Sequence, residues 1–300
     1  MLREADMLVG RTPRGTFVGR RPSFNSGRVG RRALFYLLVV LVCAVVMFPV
    51  YWMVLSAIQP ARFSMRYPPP FVPQVVNLTP FEQLFRDYPV VSWVTNSTII
   101  SLLSTVLCLA LGIFGAYTLS CLRWRGRTAF GILLFFTQML PEALIIIPIF
   151  IILRQLQMLE NLPAVSLVNA AFVLPIGIWI LKGVFDAVPR EIREAALVDG
   201  CDELSVLWRI VVPLSVPGLV AVGVVAFFYA WNEFLFTSTM LTTDAVRPAA
   251  VGLATLRSMM ETPVERILAA SMLFSAPPVV FYLVMQRYIV SGLTAGAVKG

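Results

Sequence analysis

Six long apolar runs decide what this chain can fold into. Residues 33–58, 93–122, 128–153, 162–181, 214–241 and 267–285 are each close to or above the length that lets a helix cross a bilayer, about 20 residues. A soluble domain of 300 residues cannot bury so much apolar surface, and a composition of 58% hydrophobic against 13% charged residues points the same way. In hydrocarbon every backbone N–H and C=O has to be satisfied within the segment. The fold class that follows is an all-α, polytopic membrane protein with six transmembrane helices.

Before the first run, residues 1–32 carry eight arginines among Gly, Pro and Ser, the composition of a disordered tail. The run at 33–58 exceeds the apolar core of a signal peptide, about 7–15 residues, so it reads as a retained helix. Arginines beside a membrane helix serve as an orientation signal facing anionic lipid rather than as a nucleic-acid site. With the N-terminus inside, seventeen of the 24 Arg and Lys fall on the cytoplasmic side. Both termini are therefore expected in the cytoplasm, together with the charged loop at 186–213. The domain plan is a tail at 1–32 and a membrane domain at 33–300.

Several chemistries are excluded. There is no histidine, which removes the commonest general base and metal ligand. Cys43, Cys108, Cys121 and Cys201 are widely spaced, so neither a C-x-x-C metal site nor a disulfide framework is suggested. Neither lysine, Lys182 or Lys299, stands in a phosphate-binding G-x-x-x-x-G-K-[ST] loop. The expectation is a chain with no catalytic residue, no metal and no cofactor of its own.

The loop at 186–213 is the longest charged interruption of the second half. Ile192, Ala195, Ala196 and Val198 give a short helix a narrow apolar face, with Arg190 and Glu194 four apart on the wet side. Pro189 suits the start of that helix, and Asp199-Gly200 supplies a turn that needs positive φ. A second amphipathic piece spans residues 204–212, and Pro213 opens the next apolar run. Glu194-Ala195-Ala196, then three residues, Gly200, then nine residues, Ile210, one residue and Val212-Pro213 form a spaced pattern. It resembles the cytoplasmic loop of the permease subunits of binding-protein-dependent ABC importers, with Val212 where that family usually has Leu. Trp231-Asn232-Glu233-Phe234 and the tail at 292–300 resemble the maltose-type carbohydrate branch. The resemblance implies a type I importer fold in the cell membrane and a coupling role for Glu194, Ala195, Ala196, Asp199, Gly200, Ile210 and Pro213. It also implies partners: a second permease, an ATPase dimer that binds ATP and Mg, and an extracytoplasmic sugar-binding protein.

Two carboxylates lie within the apolar runs, Glu142 and Glu233. Each costs about 2.5–3.5 kcal/mol at bilayer depth, so each is expected to face the protein interior or a water-filled path. Glu142 is read either as a pathway residue or as a structural hydrogen-bond partner. Asn232, Glu233 and Trp231 are read either as a sugar-contacting patch or as structural groups. No Arg or Lys falls deep in a span, which favours a neutral oligosaccharide or polyol over a glycerol phosphate. A secondary transporter is the other class considered, on the proline-interrupted spans and Glu142. The outer loop at 59–92, rich in proline, is expected to be a stiff connector with little core of its own.

Overall fold

The computed structural model describes residues 26–64, 66–259 and 262–297, and all secondary structure among them is helical. Most of the Arg-rich tail lies outside the described residues, while residues 26–32 already belong to a helix. Two compact units are distinguished, residues 1–51 and 52–300. The first contains most of α1 (Ser26–Ala57), whose side chains from 34 to 51 are exposed on every face. The Leu34–Ala57 part of this helix is long and apolar enough to cross a membrane.

The second unit is built on α4 (Val90–Ser120), α7 (Leu162–Asp186) and α11 (Val216–Asn232). Cys108, Ile113, Leu181, Phe185, Val222 and Ala226 from these helices share one buried cluster. Small residues let the backbones approach: a Cβ at Gly218 would stand 2.5 Å from Val184 Cγ2, so only glycine fits there. Before α4 come the single turn α2 (Ala61–Ser64) and α3 (Thr79–Asp87). Leu84 of α3 is fully buried with Trp93, Leu256 and Phe274, so the loop at 59–92 contributes to a core that its composition did not announce. Arg266 fastens it, donating to Gln83 at 2.6 Å and pairing with Asp87 at 3.6 Å.

The third and fifth expected spans are not single helices. Residues 128–153 divide into α5 (Arg127–Thr137) and α6 (Glu142–Gln155), which meet at 96°. Pro141 has no N–H to continue the ladder and forces Leu140 out of the helical region. Gln138 then holds the break by donating to the Phe172 carbonyl at 2.9 Å. The fifth begins with a bend of 80° and ends at Asn232, after which α12 (Leu235–Met240) starts separately. Pro148, Pro175, Pro277 and Pro278 stay inside continuous helices. Among the described residues, four helices are long and apolar enough to cross a membrane, or up to six if each bent pair is one span. The remaining elements are α8 (Arg190–Val198), α9 (Glu203–Val206), a π turn at Leu207–Val211, α10 (Val212–Leu214), α13 (Ala249–Ser258) and α14 (Val264–Ala297).

Candidate functional site

At the loop between α7 and α11, backbone geometry explains the residue types. Helix α8 starts after Pro189 and ends in a left-handed turn at Gly200, φ +89°. Cys201 N–H reaches the Ala196 carbonyl at 3.0 Å and Gly200 N–H the Leu197 carbonyl at 3.1 Å, the paired bonds of a Schellman cap. Asp202 then caps α9 by accepting from Ser205 N–H at 3.1 Å. The Ser205 hydroxyl and amide hold the Asp202 carboxyl below its ordinary range. The π turn precedes Pro213, whose ring would collide with the carbonyl four residues back in a regular helix; widening the turn makes room.

This loop is anchored on the membrane core. Ala196, Val206, Leu207 and Val211 are buried in the same cluster as Tyr117, Leu181 and Phe185, with Ile210 packed against them. Tyr117 of α4 donates to the Glu203 carboxylate, and Ser120 to Asp186 at 2.6 Å. Glu194, Ala195, Asp199, Gly200 and Pro213 remain exposed. Val198, expected on the inner face, is instead 87% exposed, because only the Ala196 side of α8 meets the core. Ile192, Leu197, Leu204 and Trp208 are also exposed, so the loop combines exposed apolar area with exposed charges; Leu197 borders the cleft toward α4 and Trp208 packs on Phe114. A rigidly seated loop of this kind can pass movement of a partner to α4, α7 and α11.

The intramembrane candidates separate. Glu142 is the first residue of α6 and accepts from the Tyr229 hydroxyl at 2.5 Å, tying one helix break to α11. Glu233 is 7% exposed, and its two oxygens accept from Phe236 N–H at 2.6 Å and Thr237 N–H at 3.0 Å. That carboxylate caps α12 and is consumed by it. Trp231 is buried and stacks on Phe227, ring centroids 5.8 Å apart. Asn232 is exposed and borders a cleft of about 420 Å³ with Phe228, Trp231, Ser271 and Ser275. Glu233 does not line it.

Sequence reasoning missed Glu160. Its carboxylate, between α6 and α7, receives both the amides and the hydroxyls of Thr242 and Thr243. Its partners stand over 80 residues away, and no local signal pairs them.

The arrangement defines a multi-span helical membrane protein whose core carries an exposed, charged loop between α7 and α11. The family model described as binding-protein-dependent transport system inner membrane component matches residues 108–295, and the chain belongs to that family. It is 35% identical over 268 residues to the inner membrane ABC transporter permease protein YcjP of Escherichia coli (strain K12), covering 89% of this chain and 96% of that one. It is 33% identical to the trehalose transport system permease protein SugB of Mycobacterium tuberculosis (strain CDC 1551 / Oshkosh), covering 90% and 99%. The fold also matches a crystal structure of a bacterial ABC transporter involved in the import of the acidic polysaccharide alginate. That match has a TM-score of 0.72 at 20% identity and covers 88% of this chain and 98% of that one. The carbohydrate-type permeases among its relatives agree with the resemblance read from the loop and from residues 231–234.

Proposed function

We propose that this chain is one of two permease subunits of an importer for a neutral oligosaccharide or polyol in the cell membrane, with both termini cytoplasmic. The observation that carries the reading is the α8–α9 loop, exposed outward and rooted inward through Ala196, Val206, Leu207 and Val211. On this reading Glu194, Ala195, Asp199 and Gly200 present the surface that an ATPase subunit grips, while Ala196, Ile210 and Pro213 keep its pose. ATP and Mg belong to that partner dimer, and a sugar-binding protein delivers solute on the opposite side. The second permease, related but distinct, completes the walls of the pathway.

The cleft beside Asn232 supports this substrate class. Serine hydroxyls, an amide and aromatic faces suit sugar hydroxyls and sugar rings, and no Arg or Lys lines it to hold a phosphate. Names such as trehalose among the relatives favour a saccharide of this kind. The test is expression with the neighbouring transport components, followed by co-purification of an ATPase and uptake of labelled neutral disaccharides. Recovery without any ATPase, or uptake of glycerol phosphate in preference to every neutral sugar tried, would overturn the reading.

A further inference from the structure

Two features outside the proposed pathway lie along α5, one at its start and the other toward its end against α7. Between the end of α4 and α8 lies a cleft of about 700 Å³ bordered by Arg123, Arg127, Arg190 and Arg193. None of these four arginines makes an ion pair among the described residues, and Arg193 Nε is buried without a hydrogen-bond partner. Of the two carboxylates that also border the cleft, Glu203 is engaged by the Tyr117 hydroxyl and Glu194 pairs with no arginine. Asp186 lies close by, within electrostatic reach of Arg127, but its carboxylate is engaged by Lys182 and Ser120, so four guanidinium groups without ion pairs against Glu194 and Glu203 leave a positive hollow. Trp124, on its rim, donates to the Thr118 carbonyl at 3.2 Å, so the indole is held beside the arginines.

The second feature is an apolar groove of about 470 Å³ on the outside of α5 and α7, lined by Phe135, Gln138, Ile176, Trp179 and Ile180. Arg127, Gly131 and Phe135 follow one another at four-residue intervals, so they lie along one face of α5. Gly131 packs on the Trp179 ring, where a Cβ would sit 3.6 Å away, so this contact lies between hollow and groove on the α5–α7 seam. From Arg127 to Phe135 the rise is about 12 Å, the reach from a headgroup phosphate well into its own acyl chain region.

We propose that this seam binds one anionic phospholipid, its phosphate among Arg123, Arg127 and Arg193 and an acyl chain against Phe135, Ile176 and Trp179. A bound phosphodiester would offset part of the hollow's positive charge, and the acyl chain would fill the apolar groove. The phosphate alone would satisfy the arginines; it is the groove that selects a lipid over a soluble anion. Basic hollows between membrane helices on the cytoplasmic side are suited to such headgroups. The proposal rests on the cytoplasmic placement of the α8–α9 loop given above. It adds a ligand for the α4–α8 junction, through which loop movement would reach α4.

The experiment is native mass spectrometry of the intact importer with phosphatidylglycerol, phosphatidylcholine of matched chains, or inorganic phosphate. Wild type is expected to retain one phosphatidylglycerol per copy of this chain in preference to phosphatidylcholine, and inorganic phosphate is not expected to displace it. The Arg123→Gln/Arg127→Gln pair should weaken that retention about thirtyfold, with ATPase subunits still recovered. Trp179→Ala should weaken it severalfold by opening the groove. Equal retention of the two lipids by wild type overturns the proposal without recourse to any variant. Displacement by inorganic phosphate would assign the hollow to a soluble anion. Loss of the ATPase from the arginine pair with lipid retained would assign it to an acidic protein surface. Failure to recover any ATPase with wild type would defeat the coupling reading alone, since lipid retention by the chain is read separately.

Discussion

Two turns in this molecule carry acidic neighbours and do opposite things with them. The turn at Gly200 closes entirely through the backbone, by the Cys201–Ala196 and Gly200–Leu197 bonds, so Glu194 and Asp199 stay exposed. At the break before α12, both oxygens of Glu233 are taken by amides and the carboxylate is buried. A backbone-closed turn leaves its side chains for a partner, whereas a side-chain-closed break uses them up. The first is suited to docking and the second to holding a helix inside the membrane domain.

The sharpest way to break this contrast is at Glu233. Glu233→Leu leaves two buried N–H groups without acceptors, at about 1–3 kcal/mol each. The importer is expected to lose thermal stability and yield, with uptake falling because less of it is folded. Glu233→Gln retains one acceptor oxygen and should fall between. Thermal midpoints of the two variants beside wild type decide it: an unchanged midpoint with impaired sugar binding would return Glu233 to the pathway.

The next largest effect belongs to Gly200→Leu. A Cβ there meets no atom within 4 Å, so the cost is conformational, about 1–2 kcal/mol for a residue forced to positive φ. That is enough to shift α8 relative to α9 and cut uptake by about tenfold, while the chain still reaches the membrane. Gly200→Asn should be much milder, because asparagine tolerates the left-handed region. Equal uptake by the Leu variant and wild type would show that the turn bears no load in coupling.

These sites differ in how far they could be read from sequence. The Gly200 turn was legible because all of its bonds are local: helix, cap and turn lie within residues 190–202. The apolar runs showed where helices lie but not where they break. Pro141 ends a helix while Pro148 and Pro175 ride within theirs, and the runs look alike on either side. What separates them is tertiary, such as the Gln138–Phe172 bond that holds the break. The Glu233 cap was in principle local, reaching only to Phe236 and Thr237, yet it was hidden by reading residues 214–241 as one continuous span. Tyr117–Glu203, Tyr229–Glu142 and Glu160–Thr242 join residues more than 80 apart, beyond any motif.

On the docking side the contrast is sharpened by Glu194→Lys. Because Glu194 is exposed and forms no ion pair among the described residues, the change should leave the fold intact. It reverses one charge at a contact rim, and ATPase recovery in pull-downs should drop severalfold and become more sensitive to salt. Recovery equal to wild type at every salt concentration would remove Glu194 from the contact surface.

The smallest effect is expected from acid, at Glu160, a third acidic group outside both turns. Its partial burial raises its pKa, but hydrogen bonds from the hydroxyls and amides of Thr242 and Thr243 outweigh this and leave it lowered from 4.5. A group with a depressed folded pKa stabilises fully above its unfolded value and loses that contribution as pH falls through the folded one. The link between the α6–α7 loop and Thr242 should thus be unchanged from pH 7 to about pH 5 and weaken only below about pH 4. Solvent screening of this largely exposed group keeps the change modest. Hydrogen exchange at the Thr242 and Thr243 amides measures it directly. Faster exchange already between pH 7 and pH 5, after correction for the intrinsic rate, would mean that the carboxylate is not held by these four donors and that the segment after α12 is fixed chiefly by Asn96, which donates to the Ala245 carbonyl at 3.0 Å.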